Sequence, residues 1–278
     1  MGSLLDNTVI MITGASSGIG RELARQLAPR AKTLILVARR RDRLEELRTE
    51  LCAARPELGV HLEVRDLADT AALDAMLVSV GEAVGHVDVL INNAGVGNVG
   101  VFDLSDARKI ESMITLNVTS LALLTRALLG PMVKKGRGGI LNISSGFGLT
   151  FLPGFAAYIG TKHFVTGFTE ALRADVSGTG VTVTQICPGP VATEFEQNVG
   201  NFTGHKVPTF LEISGERCAR ISLRAFERRR ALVVPGLIMR AMMLMAALTP
   251  RFILRIIANV VGRSLRKQQL ALGAQQPH

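Results

Sequence analysis

Apolar residues in this chain follow two alternating rhythms. Short unbroken runs at Asn7–Thr13, Thr33–Ala38, Gly59–Val64, Val87–Ile91, Gly139–Ile143, Val181–Ile186 and Ala231–Val234 have the length and β-branched content of buried strands. Between them, Arg21–Pro29, Asp42–Ala54, Asp69–Val84, Asp103–Leu129, Phe155–Val176 and Ser214–Arg228 space their apolar residues as helices do, and Gly130-Pro131 is expected to stop the fourth of these. Strands alternating with helices predict βαβ units: an α/β fold with one doubly wound parallel sheet, helices on both faces, over residues 1–236. Residues 190–214, with Phe195, Phe202 and Phe210, lack clear periodicity and have the length of a lid or binding loop.

Residues 237–278 break this rhythm and predict a C-terminal helical extension. Leu237–Leu265 is rich in Met, Leu and Ile, but its uncharged stretches are shorter than the ~18 residues that span a bilayer, and Pro250 divides it. Beyond Pro250, helical spacing puts Arg251, Arg255, Asn259, Arg263 and Arg266 on one face, opposite Phe252, Ile253, Ile256, Ile257, Val260 and Val261. Such a helix can lie in a membrane interface or pack on the body or a second subunit with its arginines outward. Charge of a single sign favours anionic lipid.

Charge sharpens this division. The net charge of +9 is local: residues 216–278 hold 12 Lys/Arg and 2 Asp/Glu, whereas residues 1–215 hold 20 and 21. No nucleic-acid motif accompanies the basic segment, so nucleic acid is not an expected partner. Cys52, Cys187 and Cys218 are far apart and form no CxxC pair, which excludes a disulfide framework and predicts no metal site. Strand-like sequence begins by Asn7, so no secretory leader is expected before the fold. The composition fits a reducing, cytoplasmic setting in which the tail can reach the cytoplasmic face of a membrane.

Candidate chemistry lies at the strand ends. The run after the first strand, Gly14-Ala15-Ser16-Ser17-Gly18-Ile19-Gly20, leads into a helix. That is the context in which glycines let a backbone approach a pyrophosphate at a helix N-terminus. After the second strand, where NAD sites place an acidic residue, Arg39 and Arg40 follow Ala38. Guanidinium groups suit a 2′-phosphate, so NADP (NADPH) is the expected cofactor, with Arg39 favoured; Arg41 and Arg43 read as the start of the next helix. Tyr158, the sole tyrosine, lies four residues before Lys162, on one face of a helix. Taken alone, the pair is either an ordinary helix-surface contact or a phenol whose pKa a cation lowers into working range.

The ordered set Thr13-Gly14-x-x-x-Gly18-x-Gly20, Asp66, Asn92-Asn93-Ala94-Gly95, Asn117, Ser145, Tyr158-x-x-x-Lys162, Pro188-Gly189 and Thr193 resembles the classical short-chain dehydrogenase/reductase family over residues 7 to about 235. The resemblance implies catalytic roles for Asn117, Ser145, Tyr158 and Lys162. Tyr158 would exchange a proton with the substrate oxygen, Ser145 (rather than Ser144) would bond that oxygen, Lys162 would lower the tyrosine pKa and hold ribose, and Asn117 would anchor a water. It further implies cofactor contacts from Gly14, Ser16, Ser17, Gly18, Ile19, Gly20, Arg39, Arg40, Asp66, Leu67, Asn93, Ala94, Gly95, Tyr158, Lys162, Pro188, Gly189, Val191 and Thr193, and a homo-oligomer formed through the helices bearing Asn117 and Tyr158. Phe147, Leu149, Phe151, Leu152 and Phe155, with the lid phenylalanines, suggest an apolar substrate pocket or ordinary core. The expected activity is therefore NADP(H)-dependent hydride transfer with a hydrophobic, lipid-like ketone or secondary alcohol. The competing expectation is a nucleotide-binding interaction protein docked on a membrane or partner by its basic tail.

Overall fold

The computed structural model describes residues 3–195 and 208–273. Parallel strands β1 (Val9–Thr13), β2 (Thr33–Ala38), β3 (Gly59–Val64), β4 (Val89–Asn92), β5 (Gly138–Ile143) and β6 (Val181–Ile186), with a last strand at Leu232–Val233, form one sheet in the order β3-β2-β1-β4-β5-β6-last. The order reverses between β1 and β4, where both strands pair in register at Ile10↔Val89, Met11↔Leu90 and Ile12↔Ile91. A ligand crevice is expected beyond the carboxyl ends of the strands at such a reversal.

Strand residues alternate between the two faces, and each face has its own core. Ile10, Ile12, Leu34 and Leu36 pack with Leu23 and Leu27 of α1 (Gly18–Leu27), Leu44 and Leu47 of α2 (Arg41–Ala54), and Phe226. Val9, Met11, Ile35 and Val37 pack on the other face with Leu73 and Met76 of α3 (Ala71–Val84), and with Leu124 and Leu172. A helix on either face is therefore a direct consequence of strands that are apolar on both sides.

The segment after β4 departs from its expected bounds. The helix begins at α4 (Ala107–Ile114), passes through a π-helical turn at Thr115–Ser120 and continues as α5 (Leu121–Lys135), running through Gly130 and Pro131. Pro131 forfeits one backbone hydrogen bond, but burial of Met132 and Leu124 in the core outweighs that loss. The helix stops at Gly136, whose φ of +67° is the left-handed cap.

After α6 (Ala156–Asp175) and β6, short strands β7 (Val191–Ala192) and β8 (Ile213–Ser214) pair with each other and clasp the two ends of the expected lid; Phe202 lies outside the described residues. Next come α7 (Gly215–Glu227), the final sheet strand β9 (Leu232–Val233), and two helices, α8 (Leu237–Leu248) and α9 (Arg251–Gly273). The α9 helix does not divide cleanly into an apolar inner and a basic outer face. Its contacts with the body come from Gly262, Leu265, Arg266 and Gln269, whereas the other arginines and Phe252, Ile256 and Val260 are exposed. Leu265 packs on Gly154, Gln269 Oε1 accepts from the Val101 amide (2.7 Å), and Arg266 forms paired bonds with Asp103 (2.8 and 2.9 Å).

Asp88 ties the opposite edge of the sheet together. Its carboxylate accepts from the Val9 amide (3.0 Å) and from the Lys135 ammonium (2.6 Å). Burial pushes the carboxyl upward, but these donors outweigh burial and hold it below its ordinary value of 3.8. A depressed carboxyl stabilises the fold above that value, and the contribution is lost as pH falls through the folded pKa. Asp88→Asn is therefore expected to lower stability at pH 7 by ~1–2 kcal/mol, a deficit that closes below about pH 4 in chemical denaturation; a deficit independent of pH contradicts this assignment.

Candidate active site

The glycine turn between β1 and α1 is packed so that it admits no side chain. Gly14 has a φ of +67°, and a Cβ at Gly20 would come within 2.3 Å of the Gly14 carbonyl oxygen. The turn is fastened to the end of β4: the Asn93 amide nitrogen donates to the carbonyls of Thr13 (2.9 Å) and Gly14 (3.2 Å), and Thr13 Oγ1 accepts from the Asn93 and Ala94 backbone amides (both 3.0 Å). Asn93 thus holds the turn itself. The α1 N-terminus has neither a side-chain cap nor an acidic residue in its first turn, so amides about Ser17, Gly18, Ile19 and Gly20 are available to an anion. These features fit a dinucleotide pyrophosphate.

The arginines after β2 are grouped beside this turn. Arg40 donates to Ser16 Oγ (3.3 Å) and to Glu194 (2.9 Å), and Arg43 also lies 3.9 Å from Glu194. Arg39 is 3.6 Å from Asp66, whose Oδ1 accepts from the Ala68 amide (3.0 Å), and Leu67 is buried next to it. Sequence reasoning singled out Arg39, Arg40, Ser16 and Asp66, read Arg43 only as the start of the next helix, and missed Glu194. Glu194 lies 154 residues from Arg40, a separation at which no local pattern signals a contact.

Across the crevice, Asn117, Ser145, Tyr158 and Lys162 are brought together from α6, the end of β5 and the π-helical turn. Lys162 Nζ donates to the Ile143 carbonyl (3.2 Å) and lies 5.7 Å from the centre of the Tyr158 ring. Asn117 is buried and spends its amide on Val96, accepting from N (3.0 Å) and donating to O (2.9 Å), and on Thr161 Oγ1 (3.1 Å). Gly95 lies between Asn117 Oδ1 and Lys162 Nζ. The two serines have separated roles: Ser144 Oγ donates to the Lys162 carbonyl (3.2 Å), whereas Ser145 faces the phenol. Below them Asn92 donates to Asn142 (2.9 Å) and Thr125 (3.0 Å), so it ties strand ends together.

Desolvation governs the protonation of this group. Burial pushes the Tyr158 phenol up to about 12, and hydrogen bonding with Ser145 offsets only part of that. Burial also pushes Lys162 down to about 8. The pairing was expected to lower the phenol pKa; in the protein alone, loss of water around the phenol raises it instead. The phenol therefore keeps its proton at neutral pH.

The wall beside the phenol is apolar. Phe147 meets Tyr158 edge-on at 6.2 Å, Phe195 lies 5.9 Å away on the lid side, and Phe155 packs on Phe147 at 4.9 Å. Pro188 and Val191 are buried, Thr193 packs against Gly18, and Met239 of α8 lies directly on Gly189. The sulfurs of Met239 and Met243 lie 3.7 and 3.5 Å from where a Cβ of Gly146 would stand. These two methionines were missed because the helix that carries them reads in sequence only as an extension.

The profile of the short chain dehydrogenase family matches residues 8–203. Dehydrogenase/reductase SDR family member 7B of Bos taurus is 36% identical over 210 residues, covering 74% of this chain and 65% of that protein, so the match spans just under two thirds of that relative's length. NADP-dependent 3-hydroxy acid dehydrogenase of Schizosaccharomyces pombe is 35% identical over 243 residues, covering 84% of this chain and 92% of that protein. Among solved structures, a short-chain dehydrogenase from Sphingobium yanoikuyae in complex with NADPH superposes with a TM-score of 0.76 at 32% identity, over 86% of this chain and 93% of that one. Matched along most of its length and superposing on a solved member, this chain belongs to the classical short-chain dehydrogenase/reductase family.

Proposed function

We propose that this oxidoreductase transfers hydride between NADP(H) and a hydrophobic ketone or secondary alcohol. One observation carries the reading: a protonated, buried phenol, a serine and a lysine converge beside an apolar wall, across the crevice from a glycine turn flanked by Arg39 and Arg40. The cofactor, when bound, supplies or accepts the hydride at the carbonyl carbon. Tyr158 gives its proton to the carbonyl oxygen as negative charge develops there, and Ser145 donates to the same oxygen. The resulting phenolate is reprotonated through Lys162, whose pKa burial brings down to about 8, with Asn117 and Thr161 holding the surrounding backbone in place. Gly14, Ser17, Gly18, Ile19 and Gly20 cradle pyrophosphate, and Asp66, Leu67, Ala94 and Gly95 border the adenosine half. Pro188, Gly189, Val191 and Thr193 hold the nicotinamide end.

Residues 1–236 perform this chemistry, and the extension 237–278 serves the substrate side. Exposed Ile114, Leu123, Val133 and Phe164 on α4, α5 and α6 fit a homo-oligomer built on those helices. An interaction protein would have no use for a dry phenol–ammonium pair, so that competing reading is set aside.

In this reading, reduction needs the phenol and oxidation needs the phenolate. Because the phenol pKa is raised, kcat/KM for alcohol oxidation is expected to climb steadily from pH 7 to about 10, with reduction flat over the neutral range; parallel profiles contradict the role of Tyr158. Arg39→Ala and Arg40→Ala are each expected to weaken NADPH by about tenfold or more and to leave NADH little changed. Equal loss for both cofactors, measured by equilibrium titration, contradicts the phosphate assignment.

A further inference from the structure

The two C-terminal helices place an apolar surface beside the reactive group. Along the outward side of α8 and α9, Leu244, Met245, Leu248, Phe252, Ile256 and Val260 are each 60–76% exposed. A soluble monomer rarely shows so many large apolar side chains in one run, and such surfaces mark sites of contact. The inward side of α8 is Met239 and Met243, packed over Gly189 and Gly146 next to Ser145. The same short helix therefore separates the reaction space from the exposed apolar surface. On its other flank, α9 packs on Pro153 and Gly154 in the loop that leads into the helix of Tyr158.

Charge and shape identify what covers this surface. Between Gly236 and Gly273 the cationic residues are Arg240, Arg251, Arg255, Arg263, Arg266 and Lys267, and there is no acidic residue. Arg266 pairs with Asp103, whereas Arg240, Arg251, Arg255 and Arg263 make no ion pair among the described residues. A second copy meeting this face about a twofold axis would bring arginines against arginines. An anionic lipid surface would neutralise them and take the apolar side chains into its acyl region. Together α8 and α9 have the length and hydropathy of a membrane span, but they are bent by 113°. That angle suits a corner pressed into one leaflet and not a straight crossing.

We infer that α8 and α9 seat the protein on an anionic membrane with the substrate space facing the lipid, and that Met239 and Met243 form the gate through which a membrane-dissolved, long-chain ketone reaches Tyr158. This rests on the reductase reading above and narrows its substrate to ketones that partition into the bilayer. Methionine side chains are unbranched and adaptable, so they can part for an alkyl chain of variable length.

The test uses the full chain, NADPH, and two ketones: a short water-soluble methyl ketone and a long-chain methyl ketone dissolved in vesicles of phosphatidylcholine with about one third phosphatidylglycerol. The Leu244→Glu/Leu248→Glu variant changes only exposed side chains. It should turn over the soluble ketone like the parent, lose co-sedimentation with vesicles, and reduce the embedded ketone at least about tenfold more slowly. Met243→Phe should lower kcat/KM for the long ketone more than for the short one while keeping vesicle binding. If the parent reduces the soluble ketone but neither binds vesicles nor responds to these changes, delivery from lipid is wrong and the reductase reading stands. If the double variant instead converts an oligomer to a monomer in size-exclusion chromatography with no effect on vesicle binding, the covering partner is a second copy and the inference falls. If the parent binds vesicles but reduces neither ketone, the reductase reading fails and the inference fails with it.

Discussion

Water is kept from Tyr158 and Lys162, and the chemistry of the site depends on that exclusion. A phenol pushed up to about 12 retains its proton, and an ammonium pushed down to about 8 readily releases one. Both shifts arise from the same dry corner, which the end of β5, the π-helical turn and the aromatic residues around Phe147 create. Burying two ionisable groups is unfavourable for folding. Hydrogen bonds offset part of that cost, from Lys162 to Ile143, from Asn117 to Val96 and Thr161, and from Asn92 to Asn142 and Thr125.

The sheet supplies the second half of the arrangement. Reversal of strand order between β1 and β4 opens a crevice, and the staple between Thr13 and Asn93 sets how closely the glycine turn approaches it. Arg39 and Arg40 then stand at one end of the crevice and Tyr158 at the other. The first C-terminal helix sets Met239 against Gly189 and the sulfurs of Met239 and Met243 beside Gly146, so that flank of the crevice is apolar.

Much of this was legible in the sequence because the strands are apolar on both faces. β2, β3 and β6 have their anticipated bounds, since a buried parallel strand reads as one continuous run ended by polar residues. The glycine spacing and the Tyr158–Lys162 interval were readable because they encode local geometry: a turn with positive φ at Gly14 and two side chains on one helix face. Besides Glu194 and the two methionines of α8, three features were not legible, each for a nonlocal reason. Pro131 did not end its helix because the core holds Met132. The phenol pKa moved opposite to expectation because pair spacing says nothing about desolvation. The sequence left the apolar side of α9 open between a membrane interface and packing on protein, because the residues that do contact the body, Gly262, Leu265, Arg266 and Gln269, form a less hydrophobic stripe.

Reduction by this site turns on one proton, and replacing Tyr158, the only tyrosine, with phenylalanine removes it while preserving the ring. Single-turnover oxidation of bound NADPH by a ketone, measured alongside the NADPH dissociation constant, tests this directly. The expected result is a rate loss of ~10²–10⁴-fold with the dissociation constant within about threefold of the parent (a difference under ~1 kcal/mol). Hydride transfer within about tenfold of the parent rate would contradict it.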